Sequence, residues 1–398
     1  MAEVEVSIER DEIQRLIHSD QGLAELVEQV LNQLLEAEIT HHLGAGRHER
    51  TPERRGRRNG HYRRSLTTRV GTIELNVPRD REGRFRTELF ERYQRSEKAL
   101  VLSLLEMVVN GVSTRKVARI TDELCGREFK RSTVSDLAKQ LDVQVEAWSE
   151  RPLEGAFPFL IVDAMQIKVR REEAVRPTSV LIAVGVNQDG LREIVGLHVA
   201  DSESEQSWRD LFTDLKRRGL SGVEYVVSDA HGGLVSACKR AFQGVIWQRC
   251  QVHFRRNVVD RAAKRHHDVL HRGLDRILDA HDPDEAREEF RRLCSELEGK
   301  ADRALEALEA GLEDAIQVLV LPPKYRRRLK STNMLERLIE EVRRRERVIR
   351  IFPNERSAWR LLGALLAEQH EVWSTGRKWL DMEAFWEWKA AQELRPAA

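Results

Sequence analysis

The stretch FPFLIVDAMQIKV, residues 157–169, alternates in the period of a β-strand and sets a carboxylate among apolar side chains. With side chains pointing to opposite faces in turn, Phe159, Ile161, Met165, Ile167 and Val169 share a face with Asp163. A buried carboxylate costs several kcal/mol unless it is paired, hydrogen-bonded or bound to a metal. The strand therefore predicts both a sheet and a partner for Asp163.

Outward from this strand the alternation continues. Residues 178–187 (TSVLIAVGVN) and 192–200 (REIVGLHVA) read as two further strands joined by short polar or glycine-containing turns, which predicts an antiparallel meander. Residues 204–218 form an amphipathic helix with Trp208, Leu211, Phe212 and Leu215 on one side. A fourth strand, VEYVVSD, is followed by a helix around GLVSACKRAF and a short fifth strand, VIWQRC. The order β-β-β-α-β-α-β is that of an α/β ribonuclease H-like core, a mixed five-stranded sheet whose fourth strand crosses back to lie parallel beside the first. Residues 255–320 then turn wholly helical, with Asp282 and Pro283 as N-cap and first residue of a helix that buries Phe290, Leu293, Cys294 and Leu297. This stretch reads as an all-helical insertion, after which helices run through STNMLERLIEEVRRRERV and from Ser357 to Trp373.

Ahead of the core the charges segregate. The net charge is +1, yet residues 1–40 carry ten acids against Arg10 and Arg15, whereas residues 41–95 carry fifteen arginines against seven acids. Residues 324–350 hold eleven Lys or Arg against four glutamates. Basic blocks of this kind are the electrostatic footprint of a nucleic-acid partner, a solvated basic face being the alternative. The acidic block has an apolar stripe of Leu23, Leu26, Val27, Val30, Leu31, Leu34 and Leu35 and reads as a packing or self-association helix. A small basic β-element follows, with Asn59-Gly60 as turn signal and Val70, Ile73, Leu75 and Val77 alternating; Arg57, Arg58, Arg63 and Arg64 are its candidate DNA contacts. Residues 97–148 give three helices whose spacing suits a helix-turn-helix, with Lys130, Arg131, Ser132 and Thr133 at the start of the last. A plain three-helix packing module is the alternative. Cys125, Cys238 and Cys294 read as small core residues, and four cysteines with no apolar leader argue against a secreted disulfide scaffold. No apolar run approaches the roughly 18 residues of a membrane span, so a cytoplasmic, nucleoid-associated protein is expected.

Asp229 closes the fourth strand, where Gly232 and Gly233 let the chain turn away. If the first and fourth strands are parallel neighbours, Asp163 and Asp229 face each other, and two such anions need a counter-charge. Oxygen-only ligation suits two Mg²⁺ (or Mn²⁺) ions, which together stabilise the oxygens of a phosphoryl transfer. A third acid is expected from the helix at 331–347, whose candidates are Glu336, Glu340, Glu341 and Glu346. Glu336, Glu340 and Arg343 share a face, so Arg343 is placed to hold a phosphate beside the metal. Each glutamate taken singly is also an ordinary partner for the arginines one turn on.

Together LIVDAMQIKV, VVSDAHGGL, WQRCQVHFRRN and STNMLER...EVRRRERVIRIFPN resemble the Mutator-like bacterial insertion-sequence transposases, and RRNGHYRRSLTTRVGTIELNVPRDREGRF is similar to their N-terminal segment. The resemblance covers nearly the whole chain. It implies a DDE catalytic triad of Asp163, Asp229 and Glu336, the last chosen over Glu340 because it fills the Asn-x-x-Glu-Arg position. Ile339 departs from the pattern, which calls for asparagine there. Cys250 and His253 match the family's Cys-x-x-His element; alone that is half a zinc site with no second pair at suitable spacing. His253, with His231, is expected near the metal, orienting a triad carboxylate or a phosphate; a packed cysteine and a hydrogen-bonded core histidine is the alternative.

The resulting expectation is a DNA transposase that binds double-stranded terminal inverted repeats and target DNA, cleaves and joins strands, and acts as a homodimer with no membrane association. Arg344 and Arg345 join the candidate DNA contacts. Rivals are a nuclease or resolvase that only hydrolyses, and a DNA-binding regulator with an inactive core. The expected layout is a self-association region (1–45), basic β-element (46–95), helix-turn-helix domain (96–150), first part of the core (155–257), helical insertion (258–320), second part of the core (321–373) and a Trp-rich tail (374–398).

Overall fold

The computed structural model describes residues 22–68, 70–90, 98–109, 112, 114–125, 134, 138–139 and 141–393. Two compact units are present, Met1–Gln140 and Leu141–Ala398.

In the first unit, helix α1 (Gly22–Leu43) covers an antiparallel hairpin of β1 (Arg58–Thr68) and β2 (Gly71–Asp80). The apolar stripe seen in the sequence does the packing: Leu35, with Leu31 and Val27, meets Leu66, Ile73, Leu75 and Val77. Polar side chains of α1 also satisfy the open edge of β2. Glu28 accepts from the Glu74 N–H at 2.9 Å and Asn32 from the Asn76 N–H at 2.8 Å, so the edge is blocked to another strand. Helices α2 (Lys98–Val109) and α3 (Thr114–Cys125) follow, with Leu100, Leu104, Val117 and Val134 buried together. The expected third helix begins outside the described residues, as do Lys130, Arg131, Ser132 and Thr133. Its last part is helix α4 (Leu141–Ser149), which belongs to the second unit.

The second unit is built on a mixed five-stranded sheet in the order β5-β4-β3-β6-β7. β3 (Phe159–Arg171), β4 (Ala174–Val186) and β5 (Arg192–Ala200) form the antiparallel meander, and β6 (Tyr225–Ser228) and β7 (Ile246–Arg249) run parallel to β3. Between them, α5 (Glu205–Arg217) starts at a capping box in which the Ser204 and Ser207 side chains satisfy each other's backbone N–H groups. With α6 (Gly232–Ala241) it covers one face, where Leu160, Val162, Trp208, Leu211, Phe212, Leu234 and Ala237 are buried in one core.

The other face carries the odd-numbered residues of β3. Phe159 lies against Tyr225, Tyr325 and Phe385 with ring centroids 6.1, 6.4 and 4.8 Å away. Tyr325 comes from α11 (Pro323–Leu329), and Phe385 from α14 (Glu383–Glu393). The segment read as a tail thus supplies a core side chain. The run from α7 (Gln251–Val259) through α8 (His267–Leu278), α9 (Pro283–Leu297) and α10 (Asp302–Ile316) is helical throughout. Asp282 caps α9 with Pro283 in its first turn, and α9 buries Leu293 and Leu297, while Cys294 is only half-buried. Fully buried Gln248 ties this run to β7, donating to the Ala315 carbonyl at 2.8 Å and accepting from the Val318 N–H at 2.6 Å. Such a satisfied polar contact fixes one packing arrangement. Helices α12 (Asn333–Ile349) and α13 (Glu355–Ser374) complete the unit. Among the described residues no helix is long and apolar enough to cross a membrane.

Candidate active site

The parallel pairing of β3 with β6 brings Asp163 and Asp229 together. Phe159, Leu160 and Ile161 sit opposite Tyr225, Val226 and Val227, and just beyond this pairing Asp163 and Asp229 are close enough for the charge of one to raise the carboxyl of the other. β6 ends at Ser228, and the Asp229 carboxylate turns to accept from the His231 N–H at 3.1 Å at the entry to α6. Asp163 accepts from the Ala164 N–H at 2.9 Å. Asp163 thus stands inside β3, just beyond its parallel pairing with β6, and Asp229 just past the C-terminal end of β6, the end at which open α/β sheets collect their ligands.

Helix α12 brings Glu336 to the same place. At its C-terminal end, Phe352 clips onto β3, its N–H donating to the Lys168 carbonyl at 2.9 Å and its own carbonyl accepting from the Arg170 N–H at 2.8 Å. Between the two, Arg343 donates to the Gln166 carbonyl at 3.5 Å, so its guanidinium lies beside β3 on the site's side. Glu340 is exposed, whereas Glu336 lies 3.5 Å from His253 Nε2. Ile339, where the family pattern calls for asparagine, is buried and packs α12 instead.

Charge in the site is unevenly compensated. Burial pushes the Asp163 carboxyl up to about 7; the Ala164 N–H and the nearby His253 oppose this, and the charges of Asp229 and Glu336 add to it. His253 is pushed up to about 9, chiefly by its hydrogen bond with Cys250 and further by the charges of Cys250, Asp163 and Glu336, against the effect of burial. Burial would raise the Cys250 thiol, but hydrogen bonds from His253 and Thr332 bring it below its ordinary value. Ligand atoms of Cys250, His253 and Glu336 all lie within 4.8 Å of one another. The Cys250 sulfur, however, is fully buried and takes hydrogen bonds from the Thr332 N–H and hydroxyl, both at 3.4 Å. The carboxylates are the donors left to a hard cation, and an oxygen set of this kind fits Mg²⁺ or Mn²⁺.

His231, at the N-cap of α6, faces a carboxylate that the sequence did not single out. Glu203 lies 3.4 Å from His231 Nδ1 and accepts from Trp208 Nε1 at 3.3 Å, and burial raises its carboxyl above the ordinary range, with His231 opposing and Asp229 adding. Its only sequence signal is the acidic run between β5 and α5. Thr332, buried beside Cys250, was missed for a different reason: in Ser-Thr-Asn it looks like an ordinary helix start.

The candidate DNA contacts fare unequally. Arg63 is well exposed, its nearest acid being Glu74 at 3.9 Å, and Arg57 is exposed. Arg58 is held by Glu36 at 2.7 Å and donates to the Thr40 hydroxyl at 2.6 Å. Arg64 lies over the Phe90 ring at 4.2 Å. Arg344 is exposed but paired with Glu341 at 2.6 Å, and Arg345 is largely covered and pairs with the same carboxylate.

The profile described as "Transposase, Mutator family" matches residues 1–376. The chain belongs to the Mutator family of transposases. It is 47% identical over 383 residues to the transposase for insertion sequence element ISRM5 of Rhizobium meliloti (strain 1021), covering 96% of each chain. It is 46% identical over 390 residues to the transposase for insertion sequence element IS256 in transposon Tn4001 of Staphylococcus aureus, covering 96% of this chain and all of that one. The transposase for insertion sequence element IS1081 of Mycobacterium tuberculosis (strain ATCC 25618 / H37Rv) is 38% identical over 360 residues, 90% of this chain and 87% of that one. Membership of a transposase family makes this an enzyme that cuts and transfers DNA, which fits a cluster of carboxylates beside the central strands of the sheet.

Proposed function

We propose that this Mutator-family transposase uses Asp163, Asp229 and Glu336 as a DDE triad holding two Mg²⁺ or Mn²⁺ ions on a ribonuclease H-like core. The observation that carries the reading is the convergence of three acids, Asp229 and Glu336 both lying near enough to Asp163 for their charges to raise its carboxyl, beside the β3–β6 parallel pair. A half-buried Asp163 raised to about 7 without a cation is a carboxylate short of positive charge. Two ions there would supply Lewis-acid stabilisation to both the attacking and the leaving oxygen of phosphoryl transfer.

The chain's own side chains set the geometry. His253 holds the Glu336 carboxylate through Nε2, and its positive charge offsets part of the acidic cluster. Arg343 would take a phosphate of the cut strand. Water bound beside Asp163 and Asp229 would open the 3′ end of the element, and the freed 3′-OH, held in the same place, would attack target DNA. No covalent protein intermediate is required. The exposed arginines of the hairpin, with the helix-turn-helix, would recognise the inverted repeats, and two protomers would pair two ends.

The test is a cleavage and strand-transfer assay on a DNA fragment carrying the ends that flank this chain's own gene, with Mg²⁺. The expected outcome is 3′ nicking and joined product, abolished by Asp163→Asn, Asp229→Asn and Glu336→Gln with DNA binding retained, and preserved by Glu340→Gln. Cleavage without any joining would replace the reading by a nuclease, and undiminished cleavage by all three variants would end it.

A further inference from the structure

We propose that Thr332 and Cys250 form a clamp that sets Glu336 relative to Asp229, with Thr332 as a positioning residue for metal binding. The proposal rests on the triad reading above. Cys250 stands where two parts of the site meet. Its N–H donates to the Ser228 carbonyl at 2.6 Å, one residue before Asp229, and the next N–H, of Gln251, donates to the Lys330 carbonyl at 2.9 Å, just ahead of α12. Its sulfur accepts from both the N–H and the hydroxyl of Thr332 at 3.4 Å. One residue therefore ties the end of the strand leading to Asp229 to the start of the helix bearing Glu336.

Thr332 passes the constraint on. It is fully buried and N-caps α12, and its carbonyl accepts from the Glu336 N–H at 2.9 Å, closing the first turn. Its hydroxyl also lies 3.5 Å from Glu336 Oε1. A hydroxyl has one proton and two acceptors here, so that proton is shared between the sulfur and the carboxylate, both within reach of the one oxygen. With His253 Nε2 3.5 Å from the same oxygen, the Glu336 carboxylate is steered from two sides. Groups that orient a metal-binding carboxylate change affinity or activity by about 10–100-fold when removed. Valine keeps the shape of Thr332 and its N–H but loses the hydroxyl; serine keeps the hydroxyl.

The experiment measures Mn²⁺ binding by calorimetry and cleavage as a function of Mg²⁺ concentration, on full-length protein whose melting is cooperative. Thr332→Val and Cys250→Ala are each expected to weaken Mn²⁺ binding about 10-fold and to shift the Mg²⁺ dependence upward by a like factor, within the range for such positioning groups. Thr332→Ser should stay near the parent protein, and the double variant should lose no more than either single one, because the two residues act as one unit. If Thr332→Val does not fold, Cys250→Ala against Thr332→Ser carries the same comparison. Glu336→Gln separates the two levels. Should it leave metal binding and cleavage intact, the triad reading fails; should it abolish them while Thr332→Val and Cys250→Ala bind Mn²⁺ and cleave like the parent, the clamp alone is overturned. Losses that multiply in the double variant also overturn the clamp.

Discussion

Asp163 holds its charge on a face it shares with Ile161, Met165 and Ile167, all buried. Without a cation that charge is a net cost, since an uncompensated buried carboxylate is worth several kcal/mol against folding. Asp163→Asn should therefore raise the melting temperature of the metal-free protein at pH 8, by the equivalent of about 1–3 kcal/mol, while abolishing the stabilisation added by Mn²⁺. Thermal melts with and without Mn²⁺ check this; an unchanged or lowered metal-free melting temperature would show that Asp163 is already compensated. His370 offers a pH-dependent counterpart away from the site. Burial, with Arg151 nearby, lowers its ring to about 4, and Arg151 donates to Nδ1 at 3.4 Å, which requires that nitrogen unprotonated. The folded ring is neutral, whereas an unfolded histidine takes up a proton near pH 6.5. Between pH 6.5 and 4 the unfolded chain binds the extra proton, so stability is fully present above that window and declines as pH falls through it. His370→Phe should flatten this part of the stability–pH curve by about 1–2 kcal/mol after allowance for partial exposure; a curve with the parent's slope would remove His370 as its source.

At the scale of elements, the turn from β6 into α6 is shaped by two glycines with different surroundings. A Cβ on Gly233 would come 2.6 Å from the Glu205 nitrogen and 3.0 Å from the Ser204 carbonyl carbon, backbone that cannot move without shifting the start of α5. A Cβ on Gly232 would meet nothing within 4 Å. Gly233→Ala is expected to cost about 1–3 kcal/mol and to disturb the loop carrying Asp229, whereas Gly232→Ala leaves the melting temperature unchanged or slightly raised. Equal effects in the two melts would mean that close packing of α5 on α6 does not govern this turn. The strands themselves were legible in sequence because residues 159–169, 178–187 and 192–200 alternate or run apolar over more than one strand width, and all three were found. Asp163 stood out as a candidate because a carboxylate inside such a run is uncommon, and Asp229 only in combination with it, since a lone aspartate at a strand end is ordinarily a turn residue. Thr332 and Glu203 were not: each is an ordinary polar residue in a polar run, and its role exists only through a contact that folding makes, Thr332 with a sulfur 82 residues away. Arg58 shows the converse, a basic residue counted toward DNA whose charge is already met by Glu36 of the acidic helix.

At the scale of the molecule, the sequence-based division put residues 374–398 outside the core, since a short Trp-rich segment carries no strong period. The chain from Trp379 onward is instead anchored on the β4–β5 turn, where the Gly190 carbonyl accepts from the Trp379 N–H at 2.7 Å, and Phe385 is buried against Phe159. The second unit, Leu141–Ala398, thus holds its own sheet, both covering layers and all three triad candidates. It should fold without the first unit: a 141–398 fragment is expected to melt cooperatively and keep the melting-temperature rise given by Mn²⁺. The same fragment cut after residue 373 loses the burial of Phe385, a change of about 3–5 kcal/mol if that site does not collapse, and should melt well below it or not fold. The net-positive hairpin lies in the first unit, so the 141–398 fragment should also bind DNA carrying the element's ends at least about 10-fold more weakly, with a shallower dependence on salt, because fewer phosphate contacts release fewer counterions. Circular dichroism melts and binding isotherms at two salt concentrations measure both effects. A fragment that is unfolded would show that the second unit's core depends on residues 1–140, and one that binds element ends as tightly and with the same salt slope as the whole chain would move end recognition out of the hairpin and into the catalytic half.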